Sequence, residues 1–293
     1  MVRRSVAFTF VLCLVVSACS TSDGGNDEGG GSASDGGASG EPIVIGFPAD
    51  LTTDWAYYDV PMQEGAQFAV DQINEAGGVL GRPLEVISRD DGGQTANAVT
   101  LANQLVSSEG VALICGTFLS NVGLAVSDFA KQKQMLFVAA EPLSAALTWE
   151  QGNRYTWRLR SSTYMQNVML ADAAAALDAT RWVTIAPNYE YGHSAVAEFK
   201  KLLKARRPEV EFVAAQWPAQ GKLEAGPTVQ ALLAAEPEAI YNATFAGDLA
   251  KLVREGTVRG LFEGREVVSL LTGEPEYLDP LGAEAPEGWI VTG

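Results

Sequence analysis

Histidine, cysteine and positive charge are the scarce commodities of this sequence, and each scarcity removes a class of function. Among 293 residues there is one histidine, His193, and three cysteines. Cys13 and Cys19 lie in the first twenty residues, which leaves Cys115 alone in the body. That placement excludes a disulfide framework, and one His with one Cys has no recognisable metal-ligand spacing. A Cys/His nucleophilic pair would have to use Cys115, which closes the apolar run Val111-Ala112-Leu113-Ile114-Cys115 and reads as a packed thiol. Lys and Arg number 20 against 36 Asp and Glu, a formal charge of −16. A phosphate backbone is repelled by such a surface, so nucleic acid is not an expected partner. The local group Lys200, Lys201, Lys204, Arg206 and Arg207 falls on the outer face and end of one predicted helix, where cations complement the negative helix pole. The turn after Phe47 lacks the glycine fingerprint of a dinucleotide site. No cofactor is implied.

Long apolar runs are also missing. The longest, from Val6 to Val16, is shorter than the ~20 residues that span a bilayer. It follows Arg3 and Arg4 and precedes Ser17-Ala18-Cys19, which is the layout of an export signal over residues 1–19. The sequence Val16-Ser17-Ala18-Cys19 resembles the bacterial lipobox, which implies lipidation of Cys19 and membrane contact through the lipid alone. Residues 20–41 are Gly, Ser, Asp and little else, with no apolar side chain larger than alanine. Such a segment buries too little surface to offset its ordering entropy and is expected to be a disordered tether, reaching roughly 25 Å root-mean-square as a flexible coil.

What is present in abundance, 47% hydrophobic residues with 19% charged, is enough for a sizeable core. Ile43-Val44-Ile45-Gly46-Phe47 reads as a strand and 63–76 as a helix, with Ala66, Ala69, Val70 and Ile73 on one apolar stripe and Phe68 off it. Gly77-Gly78 and Gly81-Arg82-Pro83 turn the chain into a second strand, Leu84-Glu85-Val86-Ile87-Ser88. A strand returning after one helix requires a parallel crossover. The rhythm continues with a helix over 95–108, a strand over 111–115, a helix over 121–132 and a strand over 135–138, four strands in all. It restarts near Tyr155 to Arg160 with helices expected at 164–177, 194–205, 228–234 and 248–255, and strands at 182–186, 210–216, 239–242 and 266–270. The fold class is therefore α/β, as two doubly wound three-layer lobes, residues 42–157 and 158–293, with a boundary near 155–162.

Ligands of open α/β sheets bind beyond the carboxyl ends of the strands. The loops expected there are 49–59, 90–94, 116–120, 140–143, 187–192, 244–247 and 271–276. Trp55, Tyr57 and Tyr58 add flat apolar surface to the first of them, and either ligand contact or lobe packing accounts for these rings. Tyr191, at a strand end and followed by Gly192, is placed at the cleft mouth. Ser120 is placed where it caps the next helix or touches an anion.

The ordered set Gln63-Glu64-Gly65-Ala66, Ile73-Asn74, Ala76-Gly77-Gly78, Gly81-Arg82, Asp90-Asp91, Gly116 with Ser120, Tyr191-Gly192 and Pro286-Glu287-Gly288-Trp289-Ile290-Val291 resembles the substrate-binding proteins of branched-chain amino acid ABC transporters. The resemblance covers about 42–293. It implies a type I periplasmic-binding fold, two α/β lobes joined by a hinge and closing on a small-molecule solute without chemistry, an extracytoplasmic location, and ABC permease subunits as partners. It also implies that Tyr58 lies against the ligand, that Ser120 helps to hold a carboxylate, and that Tyr191 and Phe245 are the second lobe's aromatics. The chain departs from the family where Leu143 stands in Ala140-Glu141-Pro142-Leu143 in place of a hydroxyl residue, and where Leu271 and Thr272, with Glu274 nearby, replace the acidic residue that meets an ammonium. Trp55, Tyr57, Tyr58 and Leu143 then suggest a flatter or more apolar ligand than a branched-chain amino acid, with Glu141 and Glu274 facing a donor or cation. Family members also continue past residue 293 to complete the first lobe, so the C-terminal part of that lobe is apparently missing and a fragment is the favoured explanation. A ligand-sensing receptor domain of the same fold is the alternative to transport. A hydrolase is disfavoured for want of a nucleophile with its base.

Overall fold

The computed structural model describes residues 39–293; the expected leader, the lipidation site Cys19 and most of the tether lie outside them. Ser39 and Gly40, the end of the expected disordered stretch, are already docked. Their amides donate to the Gly81 carbonyl at 3.1 Å, and the Arg82 guanidinium donates to the Glu41 carbonyl.

Two parallel sheets follow one another. The first contains β1 (Ile43–Ala49), β2 (Leu84–Asp90), β3 (Leu113–Gly116), β4 (Phe137–Ala139) and β5 (Thr156–Arg158), interleaved with α1 (Ala56–Glu75), α2 (Thr95–Ser107) and α3 (Ser120–Lys133). The second contains β6 (Arg181–Ile185), β7 (Glu211–Gln216), β8 (Ala239–Asn242), β9 (Glu266–Ser269) and β10 (Ile290–Val291), with α4 (Thr163–Ala175), α5 (Glu190–Arg206), α6 (Ala225–Ala234), α7 (Ala246–Val258) and the short α8 (Pro275–Leu278). The strand orders are β2-β1-β3-β4-β5 and β7-β6-β8-β9-β10. Both sheets therefore reverse direction of growth between their first and third strands. That reversal point is where open α/β sheets carry a ligand.

Strand alternation builds the second core. In β6, Val183 and Ile185 face a cluster with Val229, Ile240 and Leu252, while Trp182 and the following Ala186 face another with Phe199 and Tyr241. Each such fully buried side chain contributes roughly 1.5–3 kcal/mol. In the first sheet the same logic packs Ala98, Leu105, Ile114, Val126 and Phe137 on the face under α2 and α3.

The structure corrects several expectations. The first sheet has five strands, because the stretch read as a restart, Thr156–Arg158, pairs with β4; the sheet thus runs one residue past the expected boundary at 157. α1 begins seven residues earlier than expected, at Ala56, with Pro61 inside it. Its predicted buried stripe is mostly open: of the four stripe residues only Val70 is buried, and Ile73 is 38% exposed. The periodicity is amphipathic, but Val70 is the one stripe residue that is buried, and the end of the helix is tied to β2 by hydrogen bonds that Asn74 exchanges with the backbone of Leu84. α5 likewise begins at Glu190, so Tyr191 and Gly192 are helical rather than loop residues.

Candidate functional site

The carboxyl ends of β1 and β3 in one lobe face those of β6 and β8 in the other, and the segments leaving them supply the cleft. After β1, carboxylates pin the loop. Asp50 accepts from the amide and hydroxyl of Thr53, and Asp90 accepts from Leu51 N at 3.0 Å and Thr52 Oγ1 at 2.6 Å. The loop held this way presents Trp55 and starts α1, so that Tyr58 sits one turn into the helix. After β3, Thr117 adopts a left-handed backbone (φ 65°), as do Ala246 after β8 and Leu271 after β9 (φ 53° and 67°). Non-glycine residues in that region carry strain of order 1–3 kcal/mol and gather at functional sites. All three lie at strand ends around this cleft.

Aromatic rings meet across the lobes. Trp55 lies 5.3 Å from Phe245, and Tyr58 lies 5.5 Å from Tyr277 of α8 while stacking on Phe118 at 5.4 Å and 5°. Beneath them is an inner cavity walled by Phe118, Ser120, Glu141, Leu143 and Arg160 from one side and by Tyr189, Tyr191, Phe245, Leu271 and Tyr277 from the other. The space left for the centre of a water-sized sphere is about 20 Å³, room for a water and not for an organic molecule. Outside Tyr58 and Tyr277 an open pocket of about 620 Å³ shares Phe118, Glu141, Arg160 and Tyr277 with it.

Charge is concentrated at one point. Arg160, just past β5, bonds Glu141 of the first lobe through Nη1 and Glu274 of the second through Nη2. Burial and then the neighbouring carboxylates Glu276 and Glu141 push Glu274 up to about 7 against the pull of Arg160. Burial raises Glu141 as well, again opposed by Arg160. Burial lifts the hydroxyls of Tyr191 and Tyr277 well above the ordinary tyrosine range. Four of the buried polar atoms that have no hydrogen-bond partner among the described residues lie around this cleft: the Tyr191 hydroxyl, Glu274 Oε2, Thr117 Oγ1 and Arg158 Nε.

Residues 42–293 match the profile of the periplasmic binding protein family. The chain belongs to that family. Its fold is the type I form, two parallel α/β lobes. It is 36% identical over 106 residues to the Leu/Ile/Val-binding protein BraC3 of Rhizobium johnstonii, a match covering 36% of this chain and 29% of that protein. To the leucine-, isoleucine-, valine-, threonine- and alanine-binding protein of Pseudomonas aeruginosa it is 24% identical over 256 residues, 86% of this chain and 66% of that one. The chain thus spans less than two thirds of these relatives. Among solved structures, an amino acid ABC transporter substrate-binding protein from Pseudomonas fluorescens Pf-5 superposes with a TM-score of 0.73 at 23% identity, over 86% of this chain and 66% of that one. An ABC-transporter solute-binding protein from Rhodopseudomonas palustris BisB5, in complex with 3,4-dihydroxybenzoic acid, gives 0.69 at 23% identity, over 78% and 61%. Both likenesses speak to the fold.

In this binding protein the structure brings together Ser120, Glu141, Leu143, Tyr191 and Phe245 on the inner cavity. Tyr58 and Trp55 line the outer pockets instead, and Glu274 stands behind, holding Arg160. Tyr191 is not at the mouth: it is 1% exposed, because α5 begins early enough to turn it inward. Ser120 does not cap α3, which has Leu119 before it and no side-chain cap. Its Oγ accepts from the amides of Leu143 and Ser144, both at 3.1 Å, and so shapes the loop that carries Leu143. His193 stacks on Trp217 with centroids 4.4 Å apart, and burial raises the Cys115 thiol. The sequence reading missed Phe118, Arg160, Tyr189 and Tyr277. Tyr277 lay one residue beyond an expected loop, and Arg160 was visible only as part of a strand-like run. Among the described residues no group of acidic, His or Cys side chains is arranged to hold a metal ion, and no helix is long and apolar enough to cross a membrane.

Proposed function

We propose that this chain is the solute-capturing component of an ABC importer, holding a small organic molecule between lobes 42–157 and 158–293 and presenting the closed form to permease subunits outside the cytoplasm. The observation that carries the reading is the convergence of side chains from both topological reversal points on one aromatic cavity, with Trp55–Phe245 and the Glu141–Arg160–Glu274 bridge running from lobe to lobe. A cavity of about 20 Å³ admits a solute only when the lobes part, so capture is a population shift between open and closed arrangements. Nothing in the cleft pairs a nucleophile with a base, which supports binding without turnover. The relatives named for Leu, Ile and Val and the neighbour holding a dihydroxybenzoate support an amino acid-like, amide or aromatic solute. Lipidation at Cys19 tethers the chain to the membrane surface in this reading.

The test is a thermal-shift screen of the full chain against amino acids, amides, amines and aromatic acids. A solute at a hundred times its Kd stabilises by about 2.7 kcal/mol, and small-angle scattering of the stabilised sample shows a smaller radius of gyration. Absence of both effects across the library overturns the reading.

A further inference from the structure

The loop that carries Leu143, residues 140–146 after β4, spends its polar backbone on the protein itself. Ser120 Oγ accepts the amides of Leu143 and Ser144. Arg158 donates to the carbonyls of Pro142 and Ser144. It commits both terminal nitrogens to this loop, leaves its buried Nε without a partner among the described residues, and does not line the inner cavity. All of these groups belong to the first lobe.

The second lobe holds the same loop. Thr163, which opens α4, donates its amide to the Leu143 carbonyl at 2.8 Å. The Ala145 amide is shared between Thr163 Oγ1 at 3.1 Å and Ser194 Oγ at 3.2 Å, and those two hydroxyls are 2.7 Å apart. Ser144 Oγ donates at 2.6 Å to Oε1 of Glu190, which opens α5. Buried Asn167 donates to the carbonyls of Thr163 and Ala195, so α4 and α5 present these groups as one surface. A hydroxyl-to-carboxylate bond of this length is charge-assisted and stronger than a neutral one. Its place matters as much. Among the described residues the chain passes from lobe to lobe once, over 159–162, directly before Thr163. A single crossing can bend and twist in several directions, whereas a second attachment beside it leaves a hinge with one axis. Leu143 on the loop, and Tyr189 and Tyr191 on either side of Glu190, line the inner cavity from opposite lobes. The Ser144–Glu190 bond joins the supports of those two walls.

Resting on the solute-binding reading, we propose that Glu190 is a positioning residue of this site: through Ser144 it seats the start of α5 on the Leu143 loop, at the pivot of the lobes, and so fixes the wall of Tyr189 and Tyr191 against the first lobe. The competing account is that Glu190 only complements the positive start of its own helix. Glu190→Gln separates the two, because its amide oxygen still accepts from Ser144 while the charge is gone. Hydrogen exchange on the full chain without solute reads the Ala145 and Thr163 amides, with urea unfolding alongside so that only acceleration beyond a global loss of stability counts. Glu190→Ala is expected to speed exchange at both amides about tenfold, and E190Q to stay near the parent. Calorimetry with isoleucine and with 3,4-dihydroxybenzoate adds the binding side: whichever probe binds the parent should bind E190A about tenfold more weakly and E190Q nearly as well as the parent. Unchanged exchange at both amides in a folded E190A protein, or an E190Q protein that matches E190A, overturns the proposal. If E190A does not fold, Ser194→Ala removes the other acceptor that α5 offers the loop, with Ser194→Thr as its rescue, and the same outcomes decide. If neither probe binds, exchange decides alone. A broad library with no ligand sinks the solute-binding reading and leaves the seating of α5 to the exchange result.

Discussion

Asp59 is fully buried four residues into α1, accepts the Asp50 amide at 2.6 Å through Oδ2, and has no partner for Oδ1. Burial, added to the nearby charges of Asp91, Asp50 and Glu141, pushes it up to about 8 even though the Asp50 amide pulls it down. Asp91 is raised to about 6 by burial, then by Asp50 and Asp90. A carboxyl raised in the folded state binds its proton more tightly there than in the unfolded chain, so its stabilising effect is complete below the ordinary value near 3.8 and is lost as pH rises through the folded value. The stability of this chain is therefore expected to fall with pH from about 4 to about 8. Above 7, where Asp91 is largely ionised and Glu274 is past its midpoint, Asp59 is the raised carboxyl that contributes most of the remaining slope. Chemical denaturation at pH 7 and 8 should show a decline of about 1.4 kcal/mol per pH unit, reduced to less than half in Asp59→Asn, where Glu274 alone still titrates. An unchanged slope in that variant removes Asp59 from the explanation. None of this was legible beforehand. Asp50, Asp59 and Asp91 look like solvated loop acids in the sequence, and only the close approach of β1, β2 and α1 buries them together. Ser120 shows the same limit: its position was legible, but the amides it accepts lie 23 and 24 residues downstream.

At the scale of elements, glycine separates the helices that must fit from those that need not. A Cβ on Gly192 would lie 2.0 Å from the Pro187 carbonyl oxygen, so the first turn of α5 can press on the end of β6 only with no side chain there. Gly192→Ala is expected to destabilise by about 1–3 kcal/mol through overpacking and to weaken ligand binding, since Tyr189 and Tyr191 flank that contact. Gly65, inside α1, has nothing near its added Cβ. Gly65→Ala should stabilise by about 0.5–1 kcal/mol. Urea unfolding of both variants checks the pair, and a similar sign for the two would refute the packing argument. The interiors of α2, α3 and α7 and the strands were readable because local periodicity encodes them. The starts of α1 and α5 were not: Pro61 and the Pro187–Gly192 stretch resemble breaks, whereas here Pro61 sits within the second turn, and α5 starts directly at Glu190. β5, three residues long, is a strand only because β4 supplies its partner.

For the whole molecule, two lobes of like plan were legible because each half repeats one strand–helix rhythm, and the shared strand order follows from short right-handed crossovers. The bridge that ties the lobes, Glu141–Arg160–Glu274, was not, since Arg160 and Glu274 are 114 positions apart. With side chains 25% and 9% exposed, the pair is partly screened, yet removing the cation leaves two carboxylates facing each other across the cleft. Loss of one member of a buried pair is more damaging than the net worth of the pair. Arg160→Met is therefore expected to favour the open arrangement: a larger radius of gyration without solute at pH 9, and a smaller difference at pH 6, where Glu274, raised further once the pull of Arg160 is gone, is protonated. The double variant Arg160→Met/Glu274→Gln removes the repulsion as well as the tie and should return toward the parent dimension. Equal radii for parent and Arg160→Met at both pH values would mean that the aromatic contacts Trp55–Phe245 and Tyr58–Tyr277 hold the lobes together without the ion pair.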